Sequence, residues 1–159
     1  MSEINLKPAT CQQVRDELLK MQEFFGSAIK PLALYHTFYE CLQSVAPSKM
    51  NRSKVRDIVD TYCALCNEYY LLYSKKENLK TDFFMNEARW AKYYLGRKAM
   101  DNSIEFLREY GFIRYRKGRN PYNPINTVRF YEIDLALLVG LRLDAEKLYE
   151  KQKSNQKKY

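Results

Sequence analysis

The tightest constraint on this chain is a change of period between Phe83 and Asp134. Asn86 is placed to cap a helix, and Ala88, Trp90, Ala91 and Tyr94 carry its spacing until Gly96, which is expected to end it. Met100, Ile104 and Leu107 follow at intervals of four and three and mark the inward stripe of a second helix. Gly111 fits the residue just past its end. The period then drops to two, with Phe112, Ile113 and Tyr115 alternating with Arg114 and Arg116. Lys117 to Asn126 contains Gly118, Pro121 and Pro124 and reads as a loop. Thr127 to Ile133 is rich in branched and aromatic residues and reads as the returning strand. Asp82 to Met85 is expected as a short strand ahead of the helices.

Upstream, the pattern is helical. Thr10 and Gln13 have the spacing of a capping box, and Val14, Leu18, Met21 and Phe25 form an apolar stripe that ends near Gly26. Pro31 suits a first helical position, followed by Leu32, Tyr35, Phe38, Tyr39, Leu42 and Val45, with a break at Pro47 and Ser48. The longest helix is expected from about Asn51 to about Ser74. Val55, Ile58, Tyr62, Leu65, Tyr69 and Leu72 alternate by three and four along it, and Val59, Cys66 and Tyr73 widen the stripe. That seam is a candidate core face and a candidate dimer face. The end Tyr69–Tyr73 is also compatible with a strand. After a charged connection from Lys75 to Lys80, the helix pair begins. Asp134 can cap a last helix through Leu138, Leu141 and Leu148, and Lys151 to Tyr159 is expected to fray.

The stretch Tyr94 to Ile113 resembles the heart of the winged helix-turn-helix family. A glycine, Gly96, sits in the turn, and Met100 and Ile104 fall where that family buries two residues of its recognition helix. Leu107, Gly111, Phe112 and Ile113 match its closing pattern into the wing. The resemblance covers roughly Phe83 to Ile133. It implies a mainly α fold with a small β-hairpin, a helical N-terminal region (1–80) with possible dimerisation, a winged-helix core (81–134), and a C-terminal helix with a basic tail (135–159). It also implies binding to double-stranded DNA at specific sites, as in plasmid and phage replication initiators, partition proteins and transcriptional regulators. The recognition helix would span about 97–110 and the wing about 112–133. Winged helices also serve as protein-interaction modules, which is the competing expectation.

The residues support a nucleic-acid reading by themselves. From Tyr110 to Tyr131 the charged residues are Arg114, Arg116, Lys117, Arg119 and Arg129, with no acid among them. A hairpin of that composition can neutralise phosphates and release counterions, while Asn120, Tyr122 and Asn123 add hydrogen-bonding groups. Arg97, Lys98, Asp101, Asn102 and Glu105 are expected on the outer face of the recognition helix, where such side chains match base edges. The bland alternatives are a solvated edge hairpin and local pairing of Lys98 with Asp101 or Asn102. Trp90 is expected in the core between the two helices. The net charge of +8 favours a polyanionic partner.

Chemistry is not expected. His36 is the single histidine, with no nucleophile motif around it and no phosphate-cradling glycine loop elsewhere. Cys63 and Cys66 have a zinc-like spacing but need a second pair, and Cys11 and Cys41 stand alone, so buried thiols are expected rather than a metal. No cofactor is implied. With no export signal and no long apolar run, the chain is expected to be soluble, cytoplasmic and free of membranes. A homodimer formed through the N-terminal or the last helix is expected, because paired DNA half-sites match two-fold proteins.

Overall fold

The computed structural model describes residues 12–20, 36–37, 39–40, 52–73 and 82–157. Thr10, Cys11, Met21, Phe25, Cys41, the stripe residues Leu32, Tyr35, Phe38, Leu42 and Val45, and the connection Lys75 to Lys80 lie outside them. Within them, the architecture is mostly helical with a small three-stranded antiparallel sheet. Residues 12–20 are helical and bury Val14 and Leu18. Tyr39 belongs to the expected second stripe but is exposed.

Helix α1 (Arg52–Tyr73) is the organising element. Val55, Ile58, Tyr62, Leu65 and Tyr69 are all buried, and so are Val59, Cys63, Ala64 and Cys66 beside them. Both sides of the stripe are therefore covered within one chain, and Tyr69 to Tyr73 is helical rather than a strand. The seam is thus filled within one chain, by the helix Arg97–Glu109 and the sheet, and serves as a core face. Thr61 satisfies its buried hydroxyl by donating to the Asp57 carbonyl at 2.7 Å, the back-bond that lets a polar residue sit inside a helix.

Strand β1 (Phe83–Phe84) leads into the short helix α2 (Glu87–Ala91). The Asn86 carboxamide accepts from the Arg89 N–H at 2.8 Å, a side-chain N-cap. The helix stops at Ala91, short of Tyr94, which was expected to lie on it. The turn after it is pinned to α1 from two positions. Lys92 Nζ meets the buried Glu68 carboxylate at 3.1 Å, and the Asn67 amide donates to the Tyr93 hydroxyl at 2.7 Å. With the two preceding residues held, Tyr94 takes φ 53° and stands 94% exposed. Gly96 does not end a helix. It is the residue before α3 (Arg97–Glu109), with an ordinary φ of −63°, and its carbonyl accepts from Met100 N–H at 2.8 Å.

Helix α3 buries Ser103, Ile104 and Leu107 and packs Met100 at the edge of the core. Its end is a Schellman turn. Gly111 takes φ 81°, Phe112 N–H donates to the Leu107 carbonyl at 2.9 Å, and Gly111 N–H donates to Arg108 at 3.2 Å. Strands β2 (Ile113–Arg119) and β3 (Thr127–Ile133) form the hairpin, and β1 pairs with β3, giving the order β1-β3-β2. Lys117 to Arg119 are therefore strand, not loop. Gly118 faces Val128, and a Cβ there would stand 2.8 Å from the Phe130 ring. The glycine marks close packing across the hairpin rather than a bend.

Asp134 closes the hairpin and opens α4 (Leu135–Lys157). Its N–H donates to the Phe112 carbonyl at 3.0 Å, and its carboxylate accepts from Leu137 N–H at 3.0 Å. The expected frayed tail is helical as far as Lys157. Leu138, Leu141 and Ala145 are buried, while Arg142 pairs with Glu17 of the segment 12–20 and with Glu146 at 3.0 Å. One core runs from Val14 through α1, α3 and the sheet to Ala145. Trp90 is half-buried, edge-on to Tyr131 with centroids 6.2 Å apart.

Two left-handed positions give opposite expectations. Gly111→Ala should destabilise the protein by about 1 kcal/mol, and Tyr94→Gly should stabilise it by up to about 1 kcal/mol. Urea unfolding of both variants measures this, and a destabilised Tyr94→Gly would show that contacts of the exposed ring outweigh its backbone strain.

Candidate nucleic-acid interface

The hairpin has two chemically different faces, and the register assigns every basic residue to one of them. Ile113 pairs with Ile133, Tyr115 with Tyr131, Lys117 with Arg129 and Arg119 with Thr127. Directly opposed residues share a face. Ile113, Ile133 and Tyr131 are buried, so this is the inner face, which packs on α3. Arg114, Arg116 and Gly118 lie on the other side with Glu132, Phe130 and Val128.

On the inner face, two polar contacts fasten the hairpin to α3. The Tyr115 hydroxyl donates to Glu105 at 2.5 Å, and Arg129 donates to Asp101 at 3.0 Å. Arg129 and Arg108 also approach the Tyr115 ring, at 5.2 and 5.6 Å from its centroid. The Tyr115 hydrogen bond, followed by that of Arg108, holds the Glu105 carboxyl below its ordinary range. The same bond to Glu105 raises Tyr115. For Arg129, burial works against the charge, but Tyr131 and Asp101 more than offset it and the guanidinium is held more firmly protonated.

On the outer face, Arg114 reaches Asp134 at 2.8 Å and Glu132 at 3.7 Å, and the Asp134 hydrogen bond raises its affinity for its proton. Arg116 meets Asp82 at 3.0 Å and lies 4.4 Å over the Phe130 ring. Beneath it, Phe84 contacts Phe130 and Tyr122, with centroids at 5.8 and 5.9 Å.

The eleven residues that the sequence nominates therefore divide. Arg114, Arg116 and Arg129 are paired with acids that lie outside the acid-free run or on α3. Asp101 and Glu105 each hold the hairpin, through Arg129 and Tyr115, and the alternative Lys98–Asp101 pair is not formed. Arg97, Lys98, Lys117 and Arg119 are exposed and make no ion pair with any described residue. Asn102 is exposed on α3 and, with Lys98, borders a groove of about 850 Å³ whose far wall includes Lys54, Asp57 and Ile58 of α1. Asn120 is half-exposed, with its side-chain oxygen engaged by the Tyr122 N–H at 2.9 Å.

Sequence reasoning missed Tyr94 and Ile125, both almost fully exposed. The repeated tripeptide Asn-Pro-apolar around Ile125 was the available signal. Cys63 and Cys66 are buried free thiols, and burial pushes Cys66 well up. His36 is an exposed helical residue. Among the described residues no group of ligands could hold a metal, and no helix is long and apolar enough to cross a membrane. Comparison with family models, with curated proteins and with solved structures finds no match to this chain.

The fastening of Glu105 has a pH signature. Its folded pKa lies below the unfolded one, so the contribution is present above the unfolded carboxyl range and is lost as pH falls through the folded pKa. Tyr115 shifts upward, so its share is present below the unfolded tyrosine range and is lost as pH rises through the folded pKa. Tyr115→Phe should move the Glu105 titration upward, and the stability gap to the parent should close in acid. Carboxyl-carbon NMR follows the first effect; an unmoved midpoint would remove the hydrogen bond from the account.

Proposed function

We propose that the chain binds duplex DNA in the manner of a winged helix, with α3 as the reading helix and the β2–β3 hairpin as the wing. The element order α1, β1, α2, α3, β2, β3 and the sheet order β1-β3-β2 support the winged-helix reading. The observation that carries it is the distribution of unpaired cations. Lys117 and Arg119 lie on the hairpin face that packs on α3, and Arg97 and Lys98 open α3 itself. A helix whose N-terminal residues are basic and exposed presents donors to phosphates and base edges together. Asn102, one turn further along and exposed, is the residue best suited to read adenine. Regulation of transcription, or accessory work in replication or partition, would follow from such site-specific binding by a cytoplasmic homodimer. The paired state of Arg114, Arg116 and Arg129 favours a second reading, a protein-interaction module in which the hairpin charges serve the fold alone.

Salt-dependent titration separates the two. Lys117→Gln and Arg119→Gln should each lower the slope of log affinity against log salt by about 0.9 for any duplex. Arg116→Gln, which removes a partner of Asp82 on the outer face, should change that slope much less. Asn102→Ala should cost about 1–3 kcal/mol on a preferred site selected from random duplexes and less on a scrambled one. Equal slopes for all three wing variants and the parent would remove the wing from the interface, and a parent that binds no duplex would retire the DNA reading in favour of the interaction module.

A further inference from the structure

The tip of the hairpin, Asn120-Pro121-Tyr122-Asn123-Pro124-Ile125-Asn126, is two copies of one turn. Asn123 N–H donates to the Asn120 carbonyl at 3.2 Å, and Asn126 N–H donates to Asn123 at 3.0 Å. Asn120 N–H donates to Asn126 at 2.9 Å and closes the base of the tip. Each turn has proline at its second position, where the ring presets φ, and an apolar residue at its third. Asn120 further braces the first turn by accepting from Tyr122 N–H. The tip is thus preorganised, and it spends that order on displaying two apolar side chains. Tyr122 is 80% exposed, leaning on Phe84, and Ile125 is 92% exposed with nothing against it in the core.

A loop that only neutralised phosphate would carry charge at its tip. From Asn120 to Val128 there is none, while Lys117 and Arg119 stand unpaired on the strand just below. Three asparagines, Asn120, Asn123 and Asn126, flank the apolar pair along the chain. Cationic rails, amide donors and a rigid apolar point are together the chemistry of a minor-groove wedge. Amides meet the adenine N3 and thymine O2 acceptors, and an apolar side chain enters between stacked base pairs. We infer that the hairpin tip inserts Ile125, buttressed by Tyr122, into the minor groove of A·T-rich DNA and unstacks a base step there. The inference rests on the duplex-binding reading and adds a site to it, a wing that deforms its target rather than only holding it. Flexible T-A steps cost least to open, so the wedge favours them without a base-specific contact. A pocket on a partner protein fits the two apolar residues but gives no use to Lys117 and Arg119 beside them.

The test uses the full chain and three alternating duplexes: A·T, inosine·cytosine and G·C. The A·T duplex carries 8-vinyladenine in place of scattered adenines, a fluorescent base quenched by stacking whose substituent leaves the minor groove clear. Inosine·cytosine has the major groove of G·C but lacks the amino group that fills the minor groove. Wild type should bind A·T and inosine·cytosine alike, each several-fold tighter than G·C, and should brighten 8-vinyladenine. The double variant Tyr122→Ala/Ile125→Ala should lose on the order of tenfold in affinity for A·T, and lose the brightening, at an unchanged salt slope. Its thermal unfolding midpoint should match wild type, since both side chains lie outside the core. Pro121→Ala/Pro124→Ala keeps the wedge but frees the loop, and should weaken binding while retaining the brightening. Unchanged affinity and brightening in the double variant, with Lys117→Gln and Arg119→Gln still weakening every duplex, would overturn the wedge and leave the duplex-binding reading standing. A wild-type chain that binds none of the three duplexes would overturn both.

Discussion

The burial of α1 on nearly all sides is the constraint on which the remainder of this molecule depends. Tyr62, Leu65, Ile58 and Tyr69 are each almost without contact with water, and each such side chain contributes roughly 1.5–3 kcal/mol relative to exposure. The other elements inherit their positions from that helix. Helix α3 lays Ile104 and Leu107 against it, Phe112 meets Tyr62 edge-on at 6.2 Å, and Phe83 meets Tyr69 edge-on at 5.4 Å. Glu68 and Asn67 on the same helix hold the turn that precedes α3. The angle at which α3 leaves that turn is therefore set by α1.

A second tier of order is polar and lies between α3 and the hairpin. Asp101 and Glu105 each take one partner from the inner sheet face, Arg129 and Tyr115. Exposed pairs of this kind add little to stability, because water screens them. Their effect is geometric. They fix the hairpin beside α3 and remove Arg129 from the pool of available cations. Asp82, Glu132 and Asp134 do the same for Arg114 and Arg116 on the outer face. The acids sort the cations, leaving Lys117 and Arg119 uncompensated toward the tip of the hairpin.

Much of the architecture was legible in the sequence, because it follows from period and punctuation. The stripe of α1, the Asn86 and Asp134 caps, the Gly111 turn and the strand Thr127–Ile133 all rest on local rules that tertiary context reinforces. The misreadings share one cause, a local signal reassigned by a distant contact. Gly118 looks like a loop residue until Phe130 is seen across the ladder. Tyr94 looks like a helix position until Tyr93 and Lys92 are tied to α1. For the site, the basic hairpin was legible, but the partners of its arginines were not. Asp82 and Asp101 are 34 and 28 positions from the arginines they hold, and no spacing rule spans such a distance.

That sorting also bears on how tightly such a surface can discriminate. A hairpin with all of its cations free would bind any polyanion, with an affinity governed by salt and little else. Pairing three of the arginines lowers that indiscriminate term without lowering the rigidity of the hairpin, since each pair is also a brace. Under the duplex-binding proposal, what remains for recognition is weighted toward shape and base edges, through Asn102 on α3 and the uncharged, proline-set tip. The acids on α3, out of place on a helix meant to meet phosphate, would supply this bias. They trade gross attraction for geometry, and a surface with less gross attraction loses less of its selectivity to non-specific sites.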